Sequence, residues 1–444
     1  MGKAVFRPTG FADLVGRRVG IFGWGVEGRA AARRLGDLAE LVLVDDAPNE
    51  PGVLASADGG LDALATCEVV LKSPGIPRRR DDVLALEARG VLVTSALNLW
   101  LGEAPRERVI AVTGTKGKST TTSLIAFFLE RLNHRARRVG NIGAPPYDPS
   151  VDDTGGWWVL EVSSFQSVDL TSAPAYVVVT SLGSDHLDWH GTLEQYHRDK
   201  LALTRAPGAH VTLLADTPAL REESDQLGGT LVWVSERDHV LAEALHLLGP
   251  HNDANVSLAL AVVARATNTP TRDVRAAALA GVSDFVPLAG RLTVARELTH
   301  DGVGFRFIDD GLATAPLPTL AALEVFATEP LVLVAGGFDR GVDYHELAVK
   351  LNSREPETHV VTMGPAGERL ASLLAPAVTS ARVETMDQGV SLAVSLLDRG
   401  GVVLFSPAAP SFDRYRNWEE RSRDFVRAVD DVTREWSLGG DSNS

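Results

Sequence analysis

A single cysteine, Cys67, in 444 residues rules out an intrachain disulfide framework and fits a reducing compartment. With no recurring His-rich spacing either, the chain offers little to zinc. Long hydrophobic runs are missing. "LVLVAGG" and similar stretches are far too short to span a bilayer, and the opening "MGKAVFRPTGFADL" lacks the apolar core of a signal peptide. Positive charge is in deficit as well. A net charge of −15 argues against non-specific binding to nucleic acid or an anionic membrane, while leaving room for a local cationic pocket. No repeat of fixed period occurs, and the low-complexity sequence is confined to the polar tail "GGDSNS". A soluble, cytoplasmic protein with no membrane insertion and no nucleic-acid partner is expected.

What remains is 45% apolar residues, ample for a core, in a chain long enough for about three domains. Short β-branched runs alternate with Ala/Leu/Arg-rich helical stretches. "RVGIFG", "LVLVD", "VVLKSPG" and "VLVTS" read as strands in the first hundred residues. "VIAVTG", "WWVLEVSS", "YVVVTSL", "VTLLA" and "LVWVS" follow in the middle, then "VGFRFID", "LVLVAGG", "HVVTMG" and "VVLFSP". Continuous apolar strands separated by helices predict an α/β fold with buried, mainly parallel sheets, which bind ligands at the carboxyl ends of their strands. The polar stretches "LGEAPRER" (101–108) and "SDFVPLAGR" (283–291) part three groups of strands.

In "VIAVTGTKGKSTTTSLIAFFLERL" an apolar strand runs into a Gly-bearing loop, then Lys118 and hydroxyls that open a helix. Backbone N–H groups of such a loop cradle phosphate oxygens, Lys118 reaches the terminal phosphates, and Ser119 or Thr120 holds Mg²⁺. Val112 stands where the general P-loop pattern has its first glycine. "GWGVEG" (23–28) follows a strand and precedes a helix, with Asp45 and Asp46 ending the next strand at about the distance for a ribose contact. A dehydrogenase is the rival there, and the P-loop counts against it. Glu161 ends "WWVLE", where a P-loop sheet often places an acidic Mg²⁺ ligand; Asp185, His186 and Asp188 follow "YVVVTSL". These ligands are mainly oxygens, which favours Mg²⁺.

Together the motifs resemble those of the Mur ligases over essentially the whole chain, most nearly the glutamate-adding MurD branch in its L-glutamate variant. The resemblance rests on "GTKGKST" (114–120), "GNIG" (140–143), "LEVSSFQ" (160–166) and "SDHLDWHGTLEQYHRDK" (184–200). It continues in "GPHNDANVSLALA" (249–261), "GGFDRGVDY" (336–344) and "SPAAPSFDRYRNWEERSRDF" (406–425). It implies a Rossmann-like domain for the UDP-sugar (1–105), a central ATPase domain (106–286) and a C-terminal Rossmann-like domain for the amino acid (287–444). Gly23, Asp45, Ser73, Asn141, Ser163 and Gln166 match UDP-sugar positions. Gly114, Thr115, Lys116, Gly117, Lys118, Ser119, Thr120, Asn252, Asn255, Arg291 and Asp310 match ATP positions, although Gly290 replaces a histidine usual before Arg291. Lys118, Glu161, His186 and Lys200 are the implied catalytic set. Ser119 with Glu161 would hold one Mg²⁺, and His186 with a carbamylated Lys200 a second.

The implied reaction joins glutamate to UDP-N-acetylmuramoyl-L-alanine for peptidoglycan. ATP phosphorylates the alanine carboxylate, and the glutamate amine displaces phosphate. The resemblance further implies a monomer and a separate epimerase acting on the product. In the D-glutamate-adding branch a loop resembling Asp-Ser-Lys-Ala-Thr-Asn gives its lysine to a glutamate carboxylate; here it reads Asp310-Gly311-Leu312-Ala313-Thr314-Ala315. With that cation gone, Thr314, Arg340, Ser411 and Trp418 are the implied amino-acid contacts, and Arg340 is the replacement cation. The alternatives are an ordinary D-glutamate ligase, an inactive UDP-muramoyl-peptide sensor, and a folylpolyglutamate-synthase-like enzyme. The last two are disfavoured by the intact catalytic set and by the "GWGVEG" domain.

Overall fold

The computed structural model describes residues 6–208 and 210–439. Three parallel sheets carry the chain. The first contains β1 (Arg18–Phe22), β2 (Glu40–Asp45), β3 (Leu54–Ala55), β4 (Val69–Lys72) and β5 (Leu92–Thr94), in the order β3-β2-β1-β4-β5. The second contains β6 (Val109–Thr113), β7 (Ala136–Gly140), β8 (Trp157–Glu161), β9 (Tyr176–Val179), β10 (Val211–Ala215) and β11 (Thr230–Val234), in the order β11-β10-β9-β6-β8-β7. The third contains β12 (Thr293–His300), β13 (Val303–Asp309), β14 (Leu331–Gly336), β15 (Thr358–Met363), β16 (Thr379–Arg382) and β17 (Gly401–Phe405), in the order β12-β13-β17-β14-β15-β16. Only β12 and β13 pair antiparallel, through a tight turn at Asp301 and Gly302, both at positive φ.

The sequence dictates this layering. β6 and β8 are apolar up to their last residues, Thr113 and Glu161, and buried at every residue, as strands covered on both faces must be. Along β14, Leu331 and Leu333 enter one core while Val332 and Val334 enter the other, so the period-2 alternation splits one strand between two helical layers. Every expected strand forms. Four others do, β3, β7, β12 and β16, and each lies at a sheet edge. Edge strands keep one flank in solvent, so "ARRVG", "TVARELTH" and "TSAR" carry charge and show no apolar run.

The chain divides into two compact units, Met1–Leu241 with His251–Asp284 and Ala242–Pro250 with Phe285–Ser444. The second begins inside the polar stretch 283–291. The other such stretch does not part compact units, because Leu101 to Glu103 complete the helix Ala96–Glu103 and the first two sheets share a unit. Buried bonds join those sheets. Lys72 Nζ lies 2.8 Å from Asp169 Oδ2, with side chains 0% and 2% exposed, and Arg79 grips Asp199 with two nitrogens at 2.9 and 2.7 Å. No helix among the described residues is long and apolar enough to cross a membrane. Cys67 is buried as a free thiol.

Candidate active site

In the first sheet the order reverses between β1 and β4, which opens a crevice at their carboxyl ends. Gly23, Ser73 and Asp45 meet there. Ser73 Oγ donates to Gly23 O at 2.7 Å, and Asp45 Oδ2 accepts the Trp24 N–H at 2.5 Å. Asn141, Ser163 and Gln166 lie instead at the carboxyl ends of β7 and β8. Asn141 Nδ2 donates to Glu161 Oε1 at 2.8 Å, and Ser163 with Gln166 forms a capping box on the short helix Ser164–Ser167. Glu27 links the two groups. It accepts from Gln166 Nε2 at 2.6 Å and from Tyr147 OH at 2.9 Å, and burial pushes its carboxyl up.

The loop 114–117 leaves β6 in the middle of the second sheet and enters the helix Lys118–Arg131. Gly117 has φ +85, and a Cβ there would lie 2.6 Å from Asn255 Oδ1, so a side chain is excluded by backbone and neighbour together. Asn255 and Asn252 are buried and bonded to each other at 2.9 Å, which sets the amide pair against the loop. Thr115 Oγ1 meets Tyr196 OH at 2.9 Å and accepts from Gly183 N, while Lys116 N donates to Ser181 Oγ. Ser119 is buried and Thr120 half-buried at the start of the helix. Lys118 Nζ donates to Gly114 O at 2.9 Å, and Lys200 Nζ reaches the same oxygen at 2.8 Å. Two amines therefore meet on one carbonyl oxygen.

Lys200 is 2% exposed, although its helix (Leu193–Lys200) reads from sequence as a surface one. Burial, then the Lys118 charge, hold its amine well below the usual lysine range. A lowered pKa favours the neutral amine, the nucleophilic form that takes up carbon dioxide. Glu161 is also 2% exposed, and its Oε2 has no hydrogen bond among the described residues. A buried, unpartnered carboxylate oxygen beside hydroxyls fits a hard divalent cation. His186 sits at φ +49 with its ring 4.9 Å from Phe165 and its side chain half in solvent. Among the described residues no group of three or more His, Cys, Asp and Glu could hold a metal ion. The expected ligands include just two of those types, Glu161 and His186. The Asp188 side chain lies outside what is described.

One arrangement escaped the sequence. His190 Nδ1 donates to Asp199 Oδ2 at 2.8 Å, and its Nε2 lies 2.9 Å from Ser164 Oγ. The His190 and Asp199 side chains are 0% and 3% exposed, so this Ser-His-Asp row has no access to a substrate and works as a strut. Burial alone would raise the Asp199 carboxyl, but bonds from His190, Arg79 and Gln195 bring it to about 2. The strut fixes the helix of Lys200 to the turn after Glu161. Its sequence signal was the i, i+9 His/Asp pair inside "DWHGTLEQYHRDK", which reads as unremarkable helix and turn polarity.

In the second unit β13, β17 and β14 are parallel neighbours, so the loops carrying Thr314, Ser411 and Arg340 leave one edge. Asp310 is 8% exposed; burial pushes its carboxyl up to about 7, against Ser406 Oγ donating at 2.7 Å and the nearby Arg291 charge. Leu312 N donates to Gly290 O at 3.0 Å. Gly290 is at φ +69, and a Cβ there would lie 2.6 Å from the Trp418 ring. The two departures from the expected pattern, at 290 and 312, are therefore in contact, and Trp418 takes the space a histidine would need. Ser411 is 2% exposed, Thr314 half-buried. Arg340 is exposed, its guanidinium 5.8 Å from the Phe412 ring, with no ion pair among the described residues.

The profile of the Mur ligase middle domain matches residues 112–243. A UDP-N-acetylmuramoyl-L-alanine–L-glutamate ligase from a Micromonospora species is 38% identical over 95% of this chain and 98% of its own. The chain belongs to the Mur ligase family. A relative of the same name from Xanthomonas axonopodis pv. citri is 34% identical over 94% of this chain and 96% of its own. Among solved Mur ligases, the UDP-N-acetylmuramate–alanine ligase MurC of Thermotoga maritima aligns with a TM-score of 0.54 at 19% identity, covering 94% of this chain and 100% of that one. The MurF ligase of Thermotoga maritima, in complex with ADP, aligns at 0.54 and 16% identity, covering 97% and 100%. These give the fold, the three-domain α/β Mur ligase architecture. As a Mur ligase the protein is an ATP-dependent enzyme of peptidoglycan precursor synthesis.

Proposed function

We propose that the protein joins L-glutamate to UDP-N-acetylmuramoyl-L-alanine, forming ADP and phosphate. The carrying observation is likeness along nearly the whole chain to ligases named for that reaction. Domain limits at 105/106 and 286/287 go with this reading, as do a monomer, a cytoplasmic setting and a separate epimerase for the product.

A carboxylate is a poor electrophile until phosphorylated. Gly114 to Thr120, with Lys118, would carry the ATP phosphates, Asn252 and Asn255 the adenine, and Arg291 and Asp310 the phosphate and ribose sides. Gly23, Asp45, Ser73, Asn141, Ser163 and Gln166 would hold the UDP-sugar. Mg²⁺, two ions on this reading, would supply positive charge at the phosphoryl oxygens; Ser119, Glu161, His186 and carbamylated Lys200 are the residues to hold it. Lys118 stabilises charge that grows during transfer, where a preset cation acts most strongly. The acyl phosphate then meets the amine of glutamate, held by Thr314, Arg340, Ser411 and Trp418. Leu312 supports the L-enantiomer, because a carboxylate directed at residue 312 would face an apolar side chain.

The test is ADP release with UDP-N-acetylmuramoyl-L-alanine, ATP and each glutamate enantiomer in separate reactions. L-Glutamate is expected to be turned over at least about tenfold faster. Faster use of D-glutamate would overturn the assignment and leave the ordinary D-adding reaction.

A further inference from the structure

The last helix, Trp418–Gly439, enters the third domain with Trp418, Arg421 and Ser422 at i, i+3 and i+4, one face of its first turns. Each member of that face meets a different part of the amino-acid edge. Trp418 lies against Gly290. Ser422 Oγ donates to Asp309 Oδ1 at 3.0 Å, the same oxygen that accepts Gly311 N at 2.9 Å. Arg421 does more. Its NH2 donates to Ala409 O at 2.9 Å and to Gly311 O at 3.3 Å, and its NH1 to Gly336 O at 3.4 Å.

Those three carbonyls stand on the three loops that carry Ser411, Thr314 and Arg340. Arg421 thus touches all three loops. It is 3% exposed, lies 5.8 Å from the Phe405 ring, and forms no ion pair among the described residues. Burial drives the guanidinium down to about 10, against the pull of Asp413 and Asp309. A buried cation without a carboxylate bond is unfavourable for the fold unless it ties something together. A guanidinium can do so because its planar fork donates in several fixed directions at once, which an ammonium cannot.

We propose that Arg421 is the positioning residue of the amino-acid pocket, setting the spacing of the 310–315, 336–344 and 406–417 loops and so the selection of the incoming glutamate. This rests on the glutamate reading above. Arg421 need not touch the substrate, since its action runs through the loops. Thr314, Arg340 and Ser411 sit on loops that Arg421 clasps, so a shift there would weaken glutamate binding most, reach the ATP site only through Asp310 of the 310–315 loop, and leave the UDP-sugar site alone.

Full-length wild type, Arg421→Lys and Arg421→Met are compared for the KM of glutamate, ATP and UDP-N-acetylmuramoyl-L-alanine, with melting curves alongside. Arg421→Lys keeps the charge and loses the fork. It is expected to melt near wild type and to raise the glutamate KM about ten- to hundredfold, with a smaller rise for ATP through Asp310 and the UDP-N-acetylmuramoyl-L-alanine KM within about twofold. Arg421→Met should do the same or more; if it fails to fold, the lysine variant decides. A unchanged glutamate KM in folded Arg421→Lys, or an equal rise in all three constants, overturns the proposal. Wild type that turns over neither glutamate enantiomer overturns the substrate reading itself, and this inference with it.

Discussion

At the carboxyl edge of the second sheet the converging side chains are Lys116, Lys118 and Lys200; at that of the third they are Asp309 and Asp310, with Arg421 behind them. Both edges are built the same way, from loops leaving parallel neighbours. Their electrostatics are opposed. Lys200 is driven toward neutrality by burial and by another lysine, whereas Asp310 is driven toward its protonated form by burial beside another aspartate. A parallel sheet thus decides where loops gather, and the side chains decide what sign of ligand they hold. The phosphate edge matches its family motifs closely, while the amino-acid edge departs at Gly290 and Leu312. Leu312 falls where glutamate would be chosen, and Gly290, in contact with it, adjoins Arg291.

The contrast is broken most severely at Lys118. Lys118→Ala should lower phosphate release by about 10²–10³-fold, the range for loss of a group that stabilises transition-state charge. Near-normal release would mean that the lysine edge does not serve phosphoryl transfer. A smaller effect is expected from returning a cation to the other edge. Leu312→Lys should shift the D- to L-glutamate turnover ratio toward the D-enantiomer by about one to two decades, the worth of one charge-assisted hydrogen bond. An unchanged ratio in a competition assay would place enantiomer choice elsewhere.

The smallest expected effect concerns the buried carboxyl of Asp310. Its folded pKa, about 7, lies above the ordinary aspartate value of 3.8, so the folded state holds the proton longer. The stability this group contributes is full below about pH 4 and is lost as pH rises to about 7. Asp310→Asn cannot ionise and can still accept from Ser406. Its stability over wild type in urea melts should grow across that window and level off by about pH 8. Parallel curves from pH 5 to 8 would show that Asp310 titrates as an ordinary surface acid.

How legible this was from sequence depended on burial. Strands sandwiched on both faces, such as "VIAVT" and "WWVLE", announce themselves by a continuous apolar run that turns polar only at the carboxyl end. β7, β12 and β16 did not, since an edge strand is held by one ladder and tolerates Arg, Glu and Thr. In the site, Gly117 and Lys118 could be read from a local loop-to-helix pattern. Asn255 against Gly117, Lys200 on Gly114 O and Arg421 on three carbonyls join residues far apart in the chain. No spacing rule reports such contacts. Lys200 shows the limit best, because a charged residue ending the polar helix "LEQYHRDK" has every local mark of exposure.

The ion pair of Lys72 and Asp169 has a consequence for how the molecule may be divided. Both side chains are buried, and Lys72 also donates to Ile76 O at 2.9 Å. A fragment ending near residue 105 would keep the lysine and lose its counter-charge, and the complementary fragment would strand the aspartate. Each piece would also uncover apolar surface that the other covers. The polar stretch at 101–108 therefore marks where the chain passes from one sheet to the next, and it is a poor place to cut. The first and second sheets are separate in topology, yet neither is a free-standing part.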